Sequence, residues 1–86
     1  MDEFLSYAKK NEELIRDRGG ELMFRIYIVT ESMGMIMPWL SFWFLDEAIE
    51  SVNSISKGNK TCNYFIFESI STNLVYLDLW HEREQI

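Results

Sequence analysis

Ser32-Met-Gly-Met-Ile-Met-Pro-Trp-Leu-Ser-Phe-Trp-Phe-Leu45 runs fourteen residues without a charge, between Glu31 and Asp46, and its reading decides the fold. A membrane-spanning helix needs about 20 apolar residues, so the stretch is too short to cross a bilayer. Pro38 argues against one continuous buried helix, because it lacks an N–H and clashes with the preceding turn. What remains is alternation. Met35, Met37 and Trp39 are set against Ile36, Pro38 and Leu40, with the period of a strand. Such a strand has to lie at a sheet edge or break at Pro38, where no ladder hydrogen bond is donated. Its far end is open to two readings. Either Ser41 caps a helix that takes in Phe42, Trp43 and Phe44, or these aromatics end the strand and lock the next helix onto the sheet.

Upstream, Gly34 marks a chain reversal. Before it, Glu21 to Thr30 alternates with period two: Leu22, Phe24, Ile26 and Ile28 point one way, and Met23, Arg25, Tyr27 and Val29 the other. Earlier still, the spacing predicts a helix from Asp2 to Asp17. Asp2 caps it, and Phe4, Leu5, Ala8, Asn11, Leu14 and Ile15 share one face, opposite Glu3, Lys9, Lys10, Glu13 and Asp17. Glu12 and Arg16 are spaced as an i,i+4 pair on its surface. Gly19-Gly20 stops the helix.

Downstream, Leu45, Ala48, Ile49, Val52 and Ile55 recur at helical spacing, with Asp46, Glu47 and Glu50 in the first turns and Lys57-Gly58 at the end. From Cys62 to Ser69, Phe65 and Phe67 oppose Tyr64, Ile66 and Glu68. Ser71-Thr72-Asn73 then turns the chain into a last strand, where Val75, Leu77 and Leu79 oppose Leu74, Tyr76, Asp78 and Trp80. Two strands so closely linked form an antiparallel hairpin. Residues 81–86 read as a polar C-terminal tail. The order α-β-β-α-β-β predicts an α+β fold: one small domain over 1–86, with an antiparallel sheet of three to four strands and two helices packed on one face.

Composition narrows the function. Hydrophobic content of 48% with 15% aromatic is more than one small core needs, so part of it is expected on the surface. The net charge of −6 opposes direct binding to nucleic acid or to anionic membrane, since both require a basic face. Cys62 is the one cysteine, which excludes an internal disulfide and a cysteine-based zinc site. The acidic start lacks the pattern of a secretion signal, and a cytoplasmic location is the expectation.

Catalytic equipment is sparse. His81 is the single histidine and falls in the tail; Cys62 has no neighbour in sequence to activate it; Glu68 and Asp78 face each other across the last hairpin without a third ligand. No glycine loop precedes a helix to cradle phosphate. The expectation is therefore a protein that is not an enzyme, with no cofactor and no metal.

Three surfaces are candidates for binding. Asp46, Glu47 and Glu50, joined by Asp2, Glu3, Glu12 and Glu13 of the first helix, form an acidic layer that imitates DNA phosphates and suits a basic protein partner. Tyr27, Tyr64, Tyr76 and Trp80 are expected on one open sheet face, as a partner or small-molecule site. Met35, Met37 and Trp39 offer a self-association edge, and hence a homodimer. The first surface leads. It predicts a small acidic inhibitor of a basic, nucleic-acid-handling protein, analogous in size and charge to those of phages and mobile elements, CRISPR–Cas inhibitors among them. The alternatives are a small-molecule sequestering domain and a structural homodimerisation module.

Overall fold

The computed structural model describes residues 2–30, 33–59 and 61–83. Helix α1 (Asp2–Asp17) has the bounds that its periodicity predicts. At its end the Gly19 N–H donates to the Arg16 carbonyl at 3.1 Å and the Gly20 N–H to the Ile15 carbonyl at 2.8 Å. Gly19 makes this closure with φ at 72°, a left-handed backbone that favours glycine. Gly20 is needed for space, because a Cβ there would lie 2.6 Å from Ile15 Cγ2.

Strands β1 (Phe24–Thr30) and β2 (Met35–Phe42) form a hairpin. Gly34 reverses the chain at φ 60°, its N–H donating to the Thr30 carbonyl at 2.8 Å, while Glu31 and Ser32 of the expected reversal lie outside the described residues. Helix α2 (Leu45–Ser56) follows, then β3 (Cys62–Glu68), β4 (Asn73–Asp78) and a one-turn helix, α3 (Trp80–Arg83). The sheet order is β2-β1-β3-β4, with every neighbouring pair antiparallel. The α+β class, the four-stranded antiparallel sheet and the order of elements through β4 are thus as the sequence predicts.

Pro38 sits where its chemistry allows, on the edge strand, opposite Tyr27, and the ladder shifts register beside it between Arg25 and Tyr27. The two readings of the junction are also resolved. Ser41 pairs with Arg25 inside β2, Phe42 ends that strand, and Phe44 precedes α2 without a side-chain cap.

The helices do not share a face, contrary to the sequence expectation. The chain must pass over β1 to get from β2 to β3, and α2 makes that crossing on one side. Its Ala48 and Val52 pack on Ile26, Tyr64 and Ile66. The other side is covered by α1, whose Ala8, with Phe4 and Leu5, packs on Tyr27, Val29, Phe65 and Phe67. The cause is register. Ile26 pairs with Ile66 and Tyr27 with Phe65, and directly opposed residues of an antiparallel pair share a face. Grouping Phe65 and Phe67 with Ile26 is a one-residue slip, which turns every β3 side chain over.

Part of the expected polar tail, from His81 to Arg83, is helical. Trp80 to Arg83 form α3, docked by Arg83, whose Nη1 donates to Asp78 Oδ1 and whose Nη2 donates to the Cys62 carbonyl, both at 2.7 Å. Residues 84–86 of that tail lie outside the described residues.

Candidate functional site

A charged cluster that sequence reading missed lies beneath α1. Glu12 is fully buried, and both of its carboxylate oxygens are occupied. Oε1 accepts from Arg25 Nη1 at 2.7 Å and from the Ser69 hydroxyl; Oε2 accepts from the same Nη1 at 2.9 Å and from the Tyr27 hydroxyl. Asn11 Nδ2 donates to the Tyr27 oxygen at 2.7 Å, and Ser69 Oγ accepts from Arg25 at 3.3 Å. Two readings of α1 fall here. Glu12 belongs to no outer acidic layer, and Arg16 lies 4.0 Å from Asp17 in place of the expected Glu12 pair. Leu14, expected on the buried face, is exposed. The cluster ties α1 to β1 and to the end of β3. Burial above all, with the Glu12 carboxylate adding to it, raises the Tyr27 hydroxyl far above the ordinary tyrosine value.

The open aromatic sheet face does not form. Tyr27 is buried under α1, and Tyr64 is buried on the opposite face under α2. Tyr76 shares the α2 side with Tyr64, pairs with Ile66 and reaches Asn53 Oδ1 at 3.4 Å. Trp80 has left the sheet for α3, where its backbone N–H donates to Asn63 Oδ1 at 2.9 Å and its ring lies tilted against His81 at 3.9 Å between centroids. Central-strand aromatics at a pairing register that splits them between two covered faces make core, not a shared platform. Burial raises the Tyr64 hydroxyl, and burial followed by the Asp78 carboxylate raises that of Tyr76.

The acidic and apolar candidates come together instead, around the β2–α2 junction. Asp46, Glu47 and Glu50 are all exposed on the outer face of α2, and among the described residues none of them is in an ion pair. Glu47 and Glu50 line a shallow open groove with Phe42, Ser51 and Ser54. Immediately before the helix, Trp43 is 60% and Phe44 62% exposed; on β2, Trp39 is 50% exposed, beside half-open Met35, Met37 and Leu40. Of the aromatics expected to lock α2 to the sheet, only Phe42 does so. Among the described residues, α2 touches β2 as well as β1 and β3, but Phe42 is the β2 side chain that joins the core beneath it. No family model, curated protein or solved structure matches this chain. Its function has to be read from this surface.

Elsewhere the candidates for chemistry stand apart. Glu68 pairs with Asn73 and Asp78 with Tyr64, so these carboxylates sit at opposite ends of the β3–β4 ladder. Cys62 is half-buried, and His81 is exposed. Among the described residues, no three His, Cys, Asp or Glu side chains converge as metal ligands, and no helix is long and apolar enough to cross a membrane.

Proposed function

We propose that this protein is a non-enzymatic, cytoplasmic interaction protein that uses the acidic outer face of α2 to occupy a basic surface of a nucleic-acid-handling protein, as small acidic inhibitors of phages and mobile elements do. One observation carries the reading: the arrangement of charge. Arg25 and Arg83 are committed inside the fold, to Glu12 and to Asp78, at 2.7 Å each. Asp46, Glu47 and Glu50 have no such partner among the described residues, and α2 has no basic residue in its last turn. The excess of fourteen acids over eight Lys and Arg is therefore expressed at the surface, and α2 presents one sign only.

Three carboxylates in the first two turns resemble a short run of phosphates in sign. Their field reaches about 8 Å at physiological salt, enough to guide a lysine- or arginine-lined cleft into register. CRISPR–Cas inhibitors are one such analogy in size and charge. The test is affinity capture on the immobilised chain, with identification of the bound protein. The expected partner is basic, is released between about 50 and 300 mM salt, and is lost with Glu47→Lys/Glu50→Lys. Retention of the same partner by the charge-reversed chain would remove α2 as the docking element.

A further inference from the structure

We propose that the α2-side face of β2, together with Trp43 and Phe44 in the bend that follows it, is the docking surface for a second copy of this chain. Met35, Met37, Trp39, Leu40, Trp43 and Phe44 are each between two-fifths and two-thirds exposed and sit on one strand and the bend after it. Residues 33–45 carry no charge, so this surface specifies an apolar partner and nothing else. A second copy offers the same surface, which a two-fold axis makes self-complementary.

The area fits. An aromatic side chain has about 150–250 Å² to bury, so the six residues at their exposures present on the order of 600 Å². That reaches the upper end of the roughly 300–600 Å² of the largest apolar patch on a typical monomer, a size that often marks a binding surface. It matches the apolar part, roughly 65%, of the ~800 Å² per partner in a stable interface. The association runs through side chains and not through a continuous ladder between the two edges. Pro38 brings no N–H to the middle of β2, and the bulge beside it bends the strand. The acids of α2 border this surface, so like charges oppose the dimer at low salt and salt tightens it. Docking on a basic protein has the opposite salt dependence, which separates the two.

Sedimentation of the whole chain at 5 to 500 μM, in 50 and 500 mM NaCl, tests the inference. The expected result is a species of twice 10.3 kDa whose dissociation constant falls at the higher salt. Trp39→Ser and Trp43→Ser should each weaken it at least tenfold with the circular dichroism spectrum unchanged, while Leu14→Ser on the α1 side leaves it alone. Either Trp variant suffices should the other fail to fold. A chain that remains monomeric at 500 μM in both salts overturns the proposal, as does a dimer that Leu14→Ser breaks and both Trp variants spare.

Discussion

Beneath α1, a glutamate, an arginine, a tyrosine and a serine are packed together away from water; on β2 and the bend after it, two tryptophans, a phenylalanine and two methionines lie open. Residue type alone would exchange the two groups. What decides them is coverage. Arg25 and Tyr27 lie on β1, an inner strand with a helix over each face, so whatever side chain stands there is enclosed and must find partners. Trp39 lies on the edge strand, which has a neighbour on one side only, and it is outside the core that α2 closes. The charged group inside is stable because both carboxylate oxygens of Glu12 have donors; the apolar group outside joins neither core among the described residues.

The most severe way to break this contrast is to unpair the buried charge. Glu12→Ala leaves Arg25 enclosed without its counter-charge and should cost about 3–5 kcal/mol in urea unfolding, a large share of the ~5–15 kcal/mol typical of a domain. Replacing both residues together, Glu12→Met with Arg25→Met, should recover most of that loss. Additive losses in the pair would show that the two residues stabilise the fold independently.

The second ion pair tests whether enclosure sets the scale. Arg83 is more open than Arg25, and it joins Asp78, the Cys62 carbonyl and the face of the Tyr64 ring, 5.6 Å away. Arg83→Met should cost about 2 kcal/mol by the same measurement, through lost hydrogen bonds to a charged group.

Alkali probes the buried side without mutation. The Tyr27 hydroxyl titrates higher in the folded chain than in the unfolded one. Its contribution is complete below the unfolded value of about 10, and is lost above it at up to about 1.4 kcal/mol per pH unit, because the unfolded chain sheds a proton that the folded one keeps. Urea midpoints from pH 9 to 12 should therefore fall only above pH 10, with a shallower fall in Tyr27→Phe.

The smallest effect belongs to the open side. Trp43→Ser should change the unfolding free energy of the monomer by no more than about 0.5 kcal/mol, measured at a concentration below dimerisation. A loss of 2 kcal/mol there would mean that Trp43 is core in solution, and would erase the contrast.

Part of this was legible and misread. On a helical wheel Glu12 stands about 40° from Ala8, the centre of the buried stripe, whereas Leu14 stands about 120° away. The angles place the acid inside and the leucine outside, as found, but residue type outweighed them. Tyr64-Phe65-Ile66-Phe67 is likewise an unbroken apolar run, the signature of a strand covered on both faces, and reading it as alternation hid the second core. Nothing local, by contrast, marks Ser69 as the third donor to Glu12. That contact joins residues 57 apart in sequence.

The sequence by itself determined the order of two helices and four strands, that Gly19-Gly20 ends the first helix, and that a strand holding Pro38 lies at an edge or breaks there. These follow from periods, caps and a missing N–H, all of which act over a few residues. Only the tertiary structure decided which faces the helices cover, that Glu12 is buried while Trp43 is open, and that Tyr27 and Trp80 are parted from Tyr64 and Tyr76. Those depend on the register between β1 and β3, strands more than thirty residues apart, and a slip of one residue there exchanges the inside of the sheet for the outside.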